Sequence, residues 1–480
     1  MRVGGLFVFG FLAMFGVAHG AVITVPSAGI NTIQQGVDAA APGDVVRVKA
    51  GLYEETVTIG ANRSGITLVG VGKVILDARP FAIANGPGLE VLATDVTVKN
   101  LTIRCAVTGA GGDGHGLYVN ADGFTGTKLT VKHCEADGIH IDAAGAKLSN
   151  CRVETVGEDG IHAENALQVV ISKCQTRGTG GSGIDVAGND AQILGCSIRA
   201  ALGTGILVTG ANSVTSKCKV EDGGNMGISI DGSNALLENC ATRRTFNTGI
   251  RFDGNSGAVR KCVVDTTFGN ALFVTGVDAT IEKNTLKNPR DGIVLHTVID
   301  AVVVGNRVVN SSSRGLRVVD SSNVQMKNNL FQQAMLAGIR LETSGLCVAT
   351  DNVVKSCALT FEAGIECEAT GAVLERNRVD GCGRDGVRVG ADSVEVVDNT
   401  IRNCGEDGID VESGNACVVD GNVVIGSTGE GIENNGTNTT ITNNVMKANR
   451  VDFANDGTLD VVSGNSFTTG GTSEDPLVDL

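Results

Sequence analysis

Apolar and polar positions along this chain alternate in short bursts, and the bursts return at a nearly fixed interval. A small residue followed by an aliphatic one opens each burst, as in Gly138-Ile-His-Ile-Asp142 and Gly408-Ile-Asp-Val-Glu412. The pairs run from Gly116 through Gly138, Gly160 and Gly183 to Gly431. Most are 22 or 23 residues apart, with one step of 21 after Ala271 and one of 26 after Gly338. A period of this size predicts stacked structural units. Period-two alternation inside each unit predicts strands rather than helices. Within a burst, the residue after the aliphatic member should point outward and the next one inward. The inward column (Val119, Ile141, Ala163, Val186, Val208 and on to Val411) is apolar. The outward column (Tyr118, His140, His162, Asp185, Leu207, Ser229, Arg251, Phe273, Val294, Arg317, Arg340, Glu366, Arg388, Asp410 and Glu433) carries the charges. A one-residue slip would bury them, so the register is well specified.

A second ladder follows each pair. It reads Cys151, Cys174, Cys196, Cys218, Cys240 and Cys262, then continues as Asn284, Asn306, Asn329, Asn352, Asn377, Asn399, Asn422, Asn444 and Asn465. Stacking would set each residue over its copy at roughly 4.8 Å. Asparagines in such a column can bond amide to amide, and thiols can fill the same place as small apolar groups. A shorter column holds Cys357, Cys382 and Cys404. Parallel stacked side chains stay about a strand spacing apart, farther than a disulfide spans. Both cysteine columns are therefore expected to be free thiols, although an exported protein with 14 cysteines would ordinarily suggest disulfides.

The repeated pairs and the Cys/Asn ladder resemble the right-handed parallel β-helix repeats of the pectate-lyase-like superfamily. The resemblance covers roughly residues 22 to 470. It implies an all-β fold, a single-stranded right-handed parallel β-helix (β-solenoid) with a short N-terminal capping helix. Right-handedness also agrees with the general rule for parallel crossovers. The expected organisation is a signal peptide at 1–20, a cap and first strand at 21–50, the β-helix at 51–470 and a tail or exit cap at 471–480. The cap helix is placed over Ile30 to Ala41, capped by Thr32, with Ile33 and Val37 on one face. The main loops are expected at Cys105–Gly114 and Asn120–Thr127, with a further insertion near Ser344–Phe361.

Composition narrows the partners. Arg2, the apolar run Leu6 to Val17 and Ala18-His19-Gly20 read as a secretory signal, so the mature chain is expected to be exported, secreted or periplasmic. The run is too short for a membrane span, and no later segment reaches that length. A net charge of -15 disfavours nucleic acid. A polyanionic polysaccharide would then need bridging cations or a local basic patch. Tryptophan is absent and only Tyr53 and Tyr118 are tyrosines, so sugar-stacking platforms are few. The absence of C-x-x-C argues against a structural zinc site.

Candidate chemistry concentrates in the N-terminal third of the outward face. His140 and Asp142 project from one strand, His162 and Glu164 from the next, Asp185 from the one after, with Tyr118 one coil earlier and His115 beside it. Asp137 and Glu158-Asp159 sit where those strands begin. The resemblance implies a polysaccharide or cell-surface glycan as partner and leaves three active-site readings. A uronate lyase or epimerase needs a base, a group that neutralises the carboxylate, and an acid. His140 or His162 would be the base and Tyr118 the acid, with calcium on Asp142, Glu164 and Asp185 as neutralising cation. A glycoside hydrolase would use Asp137 and Asp159 as acid and base; Gly114-His115-Gly116 looks like the glycine-histidine-glycine motif of polygalacturonases. A transition-metal centre would use the two histidines with the acids. The different-class alternative is a non-catalytic extracellular rod, favoured by the minimal length of most coils. The catalytic set is thus His140, His162, Tyr118, Asp142 and Asp159, and the substrate-binding set is His115, Glu164 and Asp185.

Overall fold

The computed structural model describes residues 20–80, 86–105 and 114–468. The signal at 1–20, most of the Cys105–Gly114 loop and the tail fall largely or wholly outside them.

Within these bounds the chain winds into a β-solenoid of about 20 turns. At roughly 4.8 Å per coil this is a rod about 95 Å long. Each regular coil has three short strands, all parallel to their copies in adjacent coils. The first-sheet stack holds 18 strands, from Val57–Ile59 to Val451–Asn455. The other two strands of each coil, such as Lys147–Ser149 and Arg152–Val156, form the remaining faces. Ile139, Ile161, Ile184, Ile206, Ile228 and Ile250 pair in one fully buried column. The predicted inward column is buried throughout, at 1% exposure or less. Three members of the outward column, Ser229, Val294 and Glu366, are nevertheless buried. They lie on the outer surface under their neighbours: Val294 between the register mates Phe273 and Arg317, and Glu366 beneath Arg340 and Arg388.

The small residue that opens each burst is required by close packing. A Cβ added at Gly138 would lie 2.2 Å from Val153 Cγ1 and 2.7 Å from the Gly160 carbonyl oxygen. The Cys/Asn ladder closes a corner. The residue before it, such as Asn150, Lys173, Lys217 or Lys283, takes a left-handed conformation with φ between 53° and 56°. The ladder residue then turns its side chain into the rod. Asn352 Nδ2 donates to the Met326 carbonyl (2.9 Å) and to Asn377 Oδ1 (3.0 Å). The Asn352 backbone N–H donates to the same Asn377 Oδ1 (3.0 Å). The pattern repeats unbroken from Asn284 to Asn465.

The six ladder cysteines and Cys357, Cys382 and Cys404 are buried free thiols, as the stacking geometry requires. A disulfide does join Cys105 to Cys134, which the sequence did not reveal. These two are not register mates: Arg104 pairs with Lys132, so Cys105 lies level with residue 133 and the bridge runs diagonally.

The capping helix is Ile33–Ala39, with Ile33 and Val37 buried. Thr32 and Gln35 form a capping box, and Glu55 accepts the Ile33 and Gln34 amides. The expected loop at Asn120–Thr127 is not one. Its coil has ordinary length, and Thr125–Thr127 is a strand paired with both Thr97–Lys99 and Lys147–Ser149. The 26-residue coil places its extra length after Lys355, where Leu359 and Phe361 are exposed.

Two outcomes follow. Asn352→Leu should cost about 2–4 kcal/mol, because it orphans buried donors and acceptors in three coils. Asn352→Cys should cost less, since sulfur occupies the same place upstream; chemical denaturation compares the two. Thiol titration should find no reactive ladder cysteine in the native protein and should release these thiols only on unfolding.

Candidate functional site

Tyr118, His140, His162 and Asp185 form a register column on the first sheet. Parallel pairing therefore sets the aromatic rings side by side. The His140 and His162 rings stack at 4.9 Å with 22° between planes. His115 lies 4.5 Å and Tyr118 5.4 Å from His140.

Two carboxylates at the strand starts hold the histidines. Asp137 Oδ2 lies 2.9 Å from His140 Nδ1, and Asp159 Oδ2 lies 3.0 Å from His162 Nδ1. The other oxygen of each acid takes a backbone amide from the next coil: Asp137 Oδ1 accepts Asp159 N–H at 2.8 Å, and Asp159 Oδ1 accepts Ser182 N–H. The acid of the Asp-Gly turn is thus a coil-to-coil bracket. Asp291, Asp385 and Asp407 do the same for the amides of Arg314, Asp407 and Glu430. Only where a histidine follows three residues later does the bracket also orient an imidazole. The signal was legible as Asp-Gly-Ile-His, present at 137–140 and again at 159–162.

Asp137 and His140 are largely buried, with side-chain exposures of 6% and 13%. His162 is 25% exposed, and Glu164 sits at the rim at 49%. Together with Glu158 and the glycines 157, 180 and 181 they line an open groove of about 870 Å³. The Asp159 carboxylate raises the His162 pKa to about 9, against the cost of burial, with Asp137 and Asp185 adding to the pull. Burial and the charge of Asp159 push Asp185 up to about 6. Burial, with the charges of Asp137 and Asp159, also raises Glu158.

The expected residues are thus only partly convergent. His115, His140, His162, Asp159, Asp185 and Glu164 share the site, with Tyr118 stacked at one end. Asp142 pairs in register with Glu164 but is engaged by Asn165 Nδ2 (3.1 Å). The three acids expected to bind calcium look different ways: Asp142 to Asn165, Glu164 to His140 Nε2 (3.6 Å), and Asp185 to Asp159 and His162. Asp137 and Asp159 have both carboxylate oxygens committed, an arrangement suited to positioning histidines rather than to acid and base of hydrolysis.

Farther along the sheet the outward arginines are neutralised locally. Arg251 pairs with Asp253 and Arg317 with Glu342; Arg340 meets Glu342, Glu362, Glu366 and Glu368. Near the end lies an acidic group missed in the sequence, Asp407, Glu430 and Glu433. Burial, with Glu430 and Asp385 beside it, pushes Asp407 up to about 8.

The family described as "Right handed beta helix region" matches residues 87–242, 137–286, 227–374 and 364–446. No curated protein matches the chain. Similar solved structures include the catalytic domain of a GH87 alpha-1,3-glucanase in complex with nigerose (12% identity, TM-score 0.38, 81% of this chain and 66% of that one). Pectin methylesterase from carrot aligns at 15% identity and TM-score 0.30 over 56% of this chain and 84% of its own. An alginate lyase from Paenibacillus sp. str. FPU-7 aligns at 15% and 0.37 over 56% and 94%. The chain spans about two thirds of the glucanase domain, and the likeness to all three is one of fold.

The Asp159–His162 pair makes a prediction with a definite sign. A histidine pKa raised by folding stabilises the fold below its unfolded value near 6.5, and the gain is lost as pH rises through about 9. Imidazole NMR should show His162 titrating near 9. Asp159→Asn should bring it back towards 6.5 and cost on the order of 1–3 kcal/mol at neutral pH.

Proposed function

The chain belongs to the right-handed β-helix family, and from that premise we propose that it binds and processes an acidic polysaccharide, as a uronate-polymer lyase or epimerase, in the groove over Tyr118, His140 and His162. The observation that carries this reading is the carboxylate on each imidazole. With Asp137 at Nδ1, a neutral His140 would carry its proton there and present its Nε2 lone pair to the groove. That is the state a general base requires. His140 would take the proton beside the sugar carboxylate. His162, kept charged by Asp159, would oppose the negative charge that grows on that carboxylate. The positive group that neutralises the sugar carboxylate would then be a histidine itself. Tyr118 would supply a proton to the leaving oxygen or to the opposite face.

On this reading the protein would be an exported polysaccharide-active β-helix. Distant neighbours of the fold include a glucanase, a pectin methylesterase and an alginate lyase. The rod reading rests on the short coils, and the same experiment decides between the two.

Purified protein should be assayed against a panel of uronate and neutral polysaccharides, following unsaturated ends, reducing ends and exchange of the C5 proton. His140→Ala and His162→Ala should each lower turnover at least about a hundredfold, the usual scale of a lost general base. Their thermal transitions should stay close to that of the wild type. Arg251→Ala, on the same face several coils away, should retain full activity. If no polysaccharide is changed, or if both histidine variants remain fully active, the groove is not catalytic and the rod reading stands.

A further inference from the structure

We infer that His140, His162 and Glu164 form a binding site for a transition-metal ion of the zinc, cobalt or copper class. One potential ligand atom from each of the three lies within 4.8 Å of the others. The two imidazoles are register mates, so parallel pairing presents them as stacked rings 4.9 Å apart. Both Nδ1 atoms are taken by carboxylates, so both Nε2 atoms are the ones a metal would take, with the ion displacing the Nε2 proton of the charged His162 ring. Glu164 Oε1 already lies 3.6 Å from His140 Nε2.

A histidine that binds a metal nearly always donates its other ring N–H to a carboxylate, a carbonyl or water. That bond fixes the tautomer and strengthens the ligand nitrogen. Here Asp137 and Asp159 supply it twice, and each is itself pinned by a backbone amide. Two nitrogens and one carboxylate suit zinc, cobalt or copper and do not suit calcium. Bonds of about 2.1 Å in tetrahedral geometry set ligand atoms roughly 3.4 Å apart. Glu164 Oε1 already lies near that distance from His140 Nε2, so the closure falls on the two imidazoles, whose ring centres stand 4.9 Å apart.

The consequence for turnover rests on the polysaccharide reading. Nε2 of His140 cannot hold a metal and accept a proton at once, so occupation of the site would switch off the base. Metal binding itself does not depend on that reading.

The test uses untagged full-length protein freed of metal with a chelator. Titration with zinc by calorimetry, and with cobalt by visible absorption, should show one ion per chain with micromolar or tighter affinity and the intense visible bands of a four-coordinate cobalt centre. His140→Ala and His162→Ala should each weaken binding about a hundredfold, and Asp159→Asn about tenfold. Glu433→Gln, in the distant acidic group, should change nothing. Should a variant fail to fold, zinc added to the wild type must shift the imidazole nitrogen signals of His140 and His162. The inference is overturned if the wild type binds neither ion, if binding survives both histidine changes, or if those signals do not move. Metal binding without polysaccharide turnover would sink the preceding proposal and leave this one standing. Turnover without metal binding would do the reverse.

Discussion

The rod depends on one buried backbone amide per coil. To turn from the second sheet to the third, the chain places one residue in the left-handed conformation, and the next amide points at the following coil with no strand partner. An unmet buried donor of this kind costs on the order of 1–3 kcal/mol. From Asn284 onward the oxygen of the asparagine one coil ahead meets it, while the amide nitrogen of that same side chain bonds farther along the column. Upstream the acceptor is weaker. Cys218 N–H reaches only the sulfur of Cys240, at 3.4 Å. The junction is Cys262, whose amide already finds Asn284 Oδ1 at 2.9 Å. Both halves have the same corner, but one holds it with a hydrogen-bond chain and the other mainly by packing.

The same economy shapes the site. At several coils of the first sheet an acid before the glycine brackets the next coil, with Asp291, Asp385 and Asp407 in purely structural use. At Asp137 and Asp159 the remaining oxygen is turned to an imidazole. An imidazole is thus added to a structural device by one change three residues downstream. The N-terminal and C-terminal thirds of this face share the bracket and differ in what stands beside it. Histidines in the first third can carry positive charge among the acids. The last third packs acids against acids, and burial raises Asp407 and Asp410 to about 8 and about 7.

Periodicity alone fixed much of this protein. Strand placement, register, the inward and outward columns, the amide ladder and the free thiols all follow from identical residues recurring at one interval, because stacking converts sequence period directly into spatial contact. His140 and His162 were legible as neighbours for the same reason, as was the shared outward face with Tyr118 and Asp185. Tertiary structure decided everything that runs diagonally or depends on side-chain direction. The Cys105–Cys134 bridge joins residues out of register. The end of the Asn120–Thr127 stretch, Thr125–Thr127, is a strand because its coil partners pair with it on both sides. Asp142, Glu164 and Asp185 share a face, yet each side chain is engaged by a different partner. Asp137 and Asp159 proved to be holders of histidine because the bracket leaves one oxygen aimed at the ring. A repeat states which residues stack; which atoms then meet is set by torsions and competing hydrogen bonds that only the folded coil supplies.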